Sequence, residues 1–417
     1  MRVVIINKSD ARGGAAVVSR RLMHALRDAG ADARMLVVEK LTDDEYVEVA
    51  ASSLRSKLPF LLERLEVYRA NGHNKSTLFK IDPASHGLPL WNHPLVKSAD
   101  VVLLNWVNQG MLSLDGIARI AASKPTVWTM HDLWCATGIC HHPGRCNHFE
   151  KECGKCPLLG KKSSFHDLSY RIHYKKIQLE LPRSIHYVAV SSWLEEKCRQ
   201  SSLLKDGSIH RIPNAFRLPD LISAKPSDNK LRIVMAAARL DDDVKGLPIF
   251  IEALKLLEQL HKNIADRIEV FYCGDIRDSS LLQQTKTKWQ WLGAIPQDKM
   301  AQVYTNASIV VSSSRYETLP GTLVEGQAYG ALPVAFDRGG QRDIIDPGTT
   351  GIIAPFGQDD TEAASNLAKA IVEAVDLIDN TDSLSLLNKL RKSVEEKFSA
   401  AAIANQYISL IKSISGS

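Results

Sequence analysis

Short runs of β-branched and other apolar residues alternate with helical stretches along most of this chain, and that alternation restricts the fold more than any other feature. Val3–Ile6, Met35–Val38, Val101–Asn105, Thr126–Met130 and Val188–Val190 read as buried strands, with a helix at Ala15–Ala29 between the first two. Near-continuous apolar strands joined by helices make a parallel sheet covered on both faces. The pattern restarts after Pro213. Strands are expected at Ile233–Ala237, Ile268–Cys273, Trp289–Leu292, Ile309–Ser312 and Leu332–Phe336, and helices at Leu247–Leu260, Gln297–Asn306, Gly321–Tyr329 and Glu362–Leu377. Two doubly wound α/β halves follow, joined near residues 214–230, where Pro219, Pro226 and Ser227-Asp228-Asn229-Lys230 read as a linker. In a chain of 417 residues each half is large enough to bury its own core. Residues 53–92 and 131–176 do not fit the alternation and read as insertions in the first half. Ligands of such sheets bind beyond the carboxyl ends of the strands, which places the expected site in the crevice between the halves.

Composition narrows the class. The longest strictly apolar run, Ile233 to Ala238, is far short of the ~20 residues of a membrane helix. Ahead of Asn7 stand four apolar residues, fewer than the roughly 7–15 of a signal-peptide core, so export by that route is not expected and the cytoplasm is the expected compartment. The net charge of +5 hides a division: residues 1–216 carry 30 Lys and Arg against 21 Asp and Glu, and residues 217–417 carry 22 against 26. An anionic partner such as a phospholipid headgroup is therefore expected on the first half. No nucleic-acid-binding module accompanies the charge, and nucleic acid is not expected as a partner.

Three motifs fall at strand ends. Arg12-Gly13-Gly14-Ala15-Ala16 opens the first helix, where small residues let backbone N–H groups approach a phosphate or a sugar hydroxyl; a plain tight turn reads equally well. Arg239 closes a strand and Lys245-Gly246 follows six residues later, giving a planar fork and a point charge of the kind a diphosphate requires; beside Asp241-Asp242-Asp243 a solvated loop is the alternative. Glu317-Thr-Leu-Pro-Gly-Thr-Leu-Val-Glu325 spans a strand-to-helix turn. Leu319, Gly321 and Thr322 would present N–H groups at a helix N-terminus between two carboxylates able to accept hydroxyl hydrogen bonds. A nucleotide sugar carries hydroxyls on both sides of its phosphates and suits that arrangement.

Taken together, R-x5-KG after a strand, E-x7-E before Gly326-Gln327-Ala328-Tyr329-Gly330-Ala331-Leu332-Pro333-Val334, and Gly339-Gly340 with Asp343 closely resemble glycosyltransferase family 4, retaining enzymes of the GT-B fold. Asp100-Val-Val-Leu-Leu-Asn-Trp106, Thr129-Met-His-Asp132 and Ile212-Pro-Asn-Ala-Phe216 carry the likeness into the first half. It is strongest to the branch that builds colanic-acid, capsular and O-antigen polysaccharides. The resemblance implies two Rossmann-like domains facing across a cleft: residues 1–216 for the acceptor, with a Cys-rich insertion at 131–176; residues 217–398 for the donor; and a helix at 399–417 returning to the first domain. It implies a hexosyltransferase using a nucleotide-diphosphate sugar and an oligosaccharide or polyprenyl-diphosphate-linked glycan acceptor. A GT-B phosphorylase, a nucleotide-sugar epimerase and a catalytically silent scaffold are the alternatives.

Residue by residue, the resemblance assigns Arg239 and Lys245 to the donor diphosphate, Glu325 to the ribose and Glu317 to the donor sugar. Leu319, Gly321 and Thr322 line the phosphate turn, His131 stands near the anomeric carbon, and Gly13 and Gly14 form the first-half loop. No catalytic metal is implied. Departures fall at Asn105-Trp106, Ala215-Phe216 and Pro320.

Five of the seven cysteines lie between Cys135 and Cys156. Cys140-x5-Cys146-x6-Cys153-x2-Cys156 makes structural zinc the leading expectation, with His141, His142 and His148 as substitutes and free thiols or an iron–sulfur cluster as alternatives. Cys135, Cys198 and Cys273 read as buried thiols. Two stretches mix cations with apolar residues and are candidates for peripheral contact with the inner face of the cytoplasmic membrane. One runs from Arg55 and Lys57 through Leu58, Phe60, Leu61, Arg64 and Leu65 to Tyr68; the other comprises Lys161, Lys162, Tyr170, Arg171, Tyr174, Lys175 and Lys176.

Overall fold

A computed structural model describes residues 1–219, 228–293, 295 and 297–416; the expected linker falls partly on residues 220–227, outside them. The chain divides into two compact units, Met1–Ala215 with Ala400–Ser417, and Phe216–Ser399. In the first, seven strands, β1 (Arg2–Ser9), β2 (Asp32–Glu39), β3 (Val47–Val49), β4 (Val101–Leu104), β5 (Thr126–Met130), β6 (His186–Ala189) and β7 (Ser208–Arg211), form a parallel sheet. Its order is β3-β2-β1-β4-β5-β6-β7, which reverses direction between β1 and β4. In the second, β8 (Leu231–Arg239), β9 (Ile268–Asp275), β10 (Lys288–Gly293), β11 (Ile309–Ser312), β12 (Leu332–Phe336) and β13 (Ile352–Ala354) form a parallel sheet of order β10-β9-β8-β11-β12-β13, reversing between β8 and β11. Each reversal leaves the loops that leave neighbouring strands running to opposite sides, opening a ligand crevice at the carboxyl end of that sheet.

Central strands are wholly buried because helices cover both faces. All residues of β4, β5, β11 and β12 are buried. In the first unit, α1 (Gly14–Asp28) lays Leu22, Met23, Ala25 and Leu26 against Val3, Ile5 and Val101. The C-terminal helix, Ala400–Ile414, returns to this core. Its buried residues Ile403, Ala404, Tyr407, Leu410 and Ile411 recur at the 3- and 4-residue spacing of one helical face. Tyr407 Oη hydrogen-bonds Thr129 Oγ1 on β5 at 2.8 Å, a polar contact set within an apolar seam. In the second unit, Leu247–Leu260 and Asp360–Asp379 pack Phe250, Leu254, Leu367 and Ile371 over β8 and β12.

The insertions take specific forms. Residues 53–92 hold a second helix, α2 (Ser53–Ala70), and short 3₁₀ turns. Residues 131–176 hold 3₁₀ turns and much of the helix Leu168–Gln178, which Asp167 caps through the N–H groups of Ser169 and Tyr170.

Because the seam of the C-terminal helix is closed, Ile403→Ala should lower unfolding stability by about 2–4 kcal/mol through the cavity it leaves. Tyr407→Phe should cost about 1 kcal/mol for one lost hydrogen bond. Urea denaturation of the full chain measures both.

Candidate functional site

In the second unit the loops after β8, β11 and β12 are tied to each other. Lys245 Nζ lies 2.6 Å from Glu317 Oε1, and Ser314 donates its hydroxyl to the same oxygen at 2.8 Å. Ser313 Oγ donates to Lys245 O at 2.8 Å, and Arg315 N to Val244 O at 2.8 Å. Glu317 N donates to Arg338 O and its carbonyl accepts from Gly340 N at 3.0 Å, which brings in the loop after β12. Gly246 permits this approach. Its φ is +65°, and a Cβ built on it would stand 2.1 Å from Ser313 O.

The helix Gly321–Ala328 starts beside this knot, with Pro320 at its N-cap and no side-chain cap. Gly321 and Thr322 are half-buried, Leu319 is buried, and Glu325 stands half-buried one turn in. A helix N-terminus without a side-chain cap leaves its first N–H groups for water or a ligand, and the dipole favours an anion. Arg239 ends β8 at the same edge of the sheet, its guanidinium 3.3 Å from Asp241 and 3.5 Å from Asp242. Lys245 and Glu317 are thus brought into contact, whereas Arg239 is drawn to its acidic neighbours.

In the first unit, Gly13 caps α1 with φ +89° and makes no side-chain cap; Gly14 follows, and both are exposed. His131 follows β5, and its Nε2 lies 2.8 Å from Asn105 Oδ1 at the end of β4. Both line a small pocket with Thr129, Asn214 and Tyr407. Burial draws the His131 pKa down to about 4, so the ring is neutral at pH 7. Asp132 is charged. Burial opposes that charge, but His141 Nδ1 at 2.8 Å and the Trp134 N–H outweigh it and hold the carboxyl well below the usual range. Trp106 Nε1 also donates to Asp132 at 3.2 Å, and its ring stacks on His141. Burial likewise opposes protonation of His141, yet Asp132 raises its pKa. Sequence reasoning passed over this Asp132–His141–Trp106 arrangement and over Ser314. The available signals were Asn105-Trp106 and Thr129-Met-His-Asp132, two of the motifs that carry the resemblance.

The expected metal ligands Cys140, Cys146, Cys153 and Cys156 line one small pocket with His148 and Phe149. Among the described residues, however, no group of three or more His, Cys, Asp or Glu side chains is arranged to hold a metal ion. The seven cysteines form no disulfide, and burial raises the Cys153 and Cys156 thiols to about 11 and about 12. Local hydrogen bonds also hold the insertion. Gly138 N donates to Cys153 Sγ, Asp167 accepts from Cys156 N, and Lys176 donates to the Trp134 and Thr137 carbonyls. Among the substitutes, His141 is committed to Asp132 and His148 Nδ1 to the Gly154 carbonyl.

With this geometry in hand, comparison with known proteins is informative. Residues 219–381 match the family model described as Glycosyl transferases group 1, so the second unit carries a domain of that kind. A GDP-mannose-dependent alpha-mannosyltransferase of Mycobacterium tuberculosis is 28% identical over 180 residues, 42% of this chain and 47% of the relative. An alpha-maltose-1-phosphate synthase of Mycolicibacterium smegmatis is 29% identical over 136 residues, 32% of this chain and 35% of the relative. The chain thus spans no more than about half the length of these curated relatives. Among solved structures, sucrose-phosphate synthase from Thermosynechococcus elongatus superposes with a TM-score of 0.64 at 18% identity, covering 99% of this chain and 98% of that one. Anabaena Alr3699/HepE in complex with UDP and glucose does so with a TM-score of 0.59 at 15% identity, covering 99% and 100%. The fold is GT-B, two parallel-sheet α/β domains.

The neutral state of His131 has a pH signature. A histidine titrates near 6.5 when unfolded, so with a folded value of about 4 the unfolded chain takes the proton first. The stability contribution should be complete above about pH 6.5 and fall as the pH drops toward 4. NMR titration should show the His131 ring still neutral at about pH 5.5; a midpoint near 6.5 would contradict its burial.

Proposed function

We propose that this protein is a retaining glycosyltransferase that moves a hexose from a nucleotide-diphosphate sugar to a lipid-linked oligosaccharide at the cytoplasmic face of the membrane, in cell-surface polysaccharide assembly. The observation that carries this reading is the Lys245–Glu317 pair set beside a helix N-terminus with no side-chain cap, at the point where the strand order of the second sheet reverses. The glycosyl transferases group 1 match over the same residues supports it, as do the nucleotide complexes of HepE.

Breaking the bond from the anomeric carbon to the diphosphate leaves the electron pair on phosphate oxygen and oxocarbenium character on the sugar. In the proposed mechanism Lys245, Arg239 and the N–H groups of Gly321 and Thr322 meet the growing phosphate charge, the kind of preorganised electrostatic stabilisation that often dominates catalysis. These groups supply the positive charge, and no step is assigned to a metal. Donor binding draws Arg239 from Asp241 and Asp242 toward the diphosphate. Glu317 holds Lys245 and accepts from a donor-sugar hydroxyl, and Glu325 accepts from the ribose. The acceptor oxygen bonds to the anomeric carbon on the face the diphosphate leaves, and its proton passes to the departing β-phosphate oxygen. His131, neutral and held by Asn105, hydrogen-bonds the donor sugar, and Gly13 and Gly14 give backbone room for the donor. Neither carboxylate acts as a glycosidase nucleophile.

Incubation with UDP- and GDP-sugars and a panel of glycan acceptors tests this reading. Transfer with retained anomeric configuration is expected. Arg239→Ala and Lys245→Ala should each lose about 3–4 kcal/mol of transition-state stabilisation, or 10²–10³ in kcat. Sugar release that depends on inorganic phosphate would mark a phosphorylase, donor isomerisation an epimerase, and binding without turnover a scaffold.

A further inference from the structure

Helix α2 is amphipathic in the reverse sense. Its inner face buries Ser56, Glu63, Arg64 and Val67, while Leu54, Leu58, Leu61, Leu62 and Leu65 are 40% to 82% exposed. With 3.6 residues per turn, these five leucines fall in one arc of about 100°. Scattered exposed leucines are ordinary, but a continuous ridge marks a surface that meets an apolar partner. The inner face explains the inversion. Arg64 donates to Asp82 at 2.9 Å and to the Leu78 carbonyl at 2.5 Å, so a charged anchor fixes the helix and turns the leucines outward. Phe79, also exposed, extends the ridge beside the Arg64 guanidinium.

We infer that this ridge docks on an anionic lipid bilayer. Arg55 and Lys57 border the leucine arc on its two sides and Arg69 lies near it, all three exposed. The two acids of the helix do not oppose them, since Glu63 is buried and Glu66 accepts the Ser85 hydroxyl. Apolar side chains flanked by cations suit the headgroup boundary of an anionic leaflet. The excess of 30 basic over 21 acidic residues in 1–216 favours the same surface. A second copy of the chain fits less well, because a two-fold pairing of the ridge would set like cations against each other. The other basic stretch is engaged in part: Lys176 is buried on two carbonyls, Lys175 pairs with Asp115 and Tyr174 donates to Glu152, while Lys161, Lys162 and Arg171 are exposed.

The ridge is one helix away from the first unit's pocket. A Cβ on Gly110 would stand 2.4 Å from Phe60 N, so the loop after β4 lies directly on the α2 backbone. Lys8 donates to Gln109 O and Gln109 N to Asp82, fastening that loop, which begins at the His131 partner Asn105. Docking stands on these contacts alone, while its use in presenting a membrane-borne acceptor rests on the proposed transfer.

Flotation of the full chain with phosphatidylcholine vesicles, with and without phosphatidylglycerol, tests the docking. The wild type should float with the anionic vesicles and lose about tenfold or more of its binding when phosphatidylglycerol is omitted or salt is raised. L58S/L61S/L65S and R55Q/K57Q/R69Q should each lose binding by about tenfold or more while keeping the wild-type circular dichroism and donor turnover. A wild type that stays at the bottom with anionic vesicles, a serine variant that floats like wild type, or a wild-type dimer that the serine variant makes monomeric would overturn the inference. Lost turnover with intact flotation would sink the transferase reading alone.

Discussion

Glu317 is the residue on which the arrangement of the second unit depends. Its carboxylate binds Lys245 and Ser314, and its backbone bonds Arg338 and Gly340, so three loops from three strands converge on one residue. A half-buried ion pair of this kind is modest as a source of stability, since water screens part of its attraction. Its consequence is positional. The pair holds an ammonium group beside the start of the helix Gly321–Ala328, where the backbone dipole already favours negative charge. Lys245 and the N–H groups of this edge are in place before any ligand arrives, while Arg239 stands on Asp241 and Asp242. Under the proposed function, that arrangement is what receives the diphosphate of the donor.

The first unit uses opposite means. Its polar residues are buried deeper and neutralise each other: Asp132 against His141 and Trp106, Arg64 against Asp82, and Lys176 against carbonyls. His131 is left uncharged on Asn105. A neutral imidazole next to a satisfied carboxylate can give or accept a hydrogen bond without adding charge to the pocket. The C-terminal helix stabilises this unit from a distance in sequence, with Tyr407 bonded to the strand that leads into His131.

The central strands were legible in the sequence because burial on both faces leaves an uninterrupted apolar run. Thr126–Met130, Ile309–Ser312 and Leu332–Phe336 have the expected bounds. β3, β7 and β13 were not foreseen. They are edge strands of three or four residues, and one-sided pairing lets residues such as Ser208 and His210 interrupt the pattern. The stretch that became α2 was marked only for its mix of cations and leucines, and its helix was not placed because its leucines face outward while Glu63 and Arg64 face inward. Lys245 and Glu317 were visible through motif spacing, but their contact was not, because it closes across 72 residues. The cysteine spacing marked four thiols that the fold does bring to one pocket, and the histidine beside Cys140 turns to Asp132.

The central claim is that the loops knotted at Glu317 receive a nucleoside diphosphate. Hydrogen exchange of the full chain, with and without saturating UDP or GDP, tests it most directly. The account predicts that the amides of Gly246 and Leu247, of Gly321 through Glu325, and of Gly339 and Gly340 slow by about tenfold or more. Saturable binding that leaves those amides unchanged, or protects only the first unit, would contradict it.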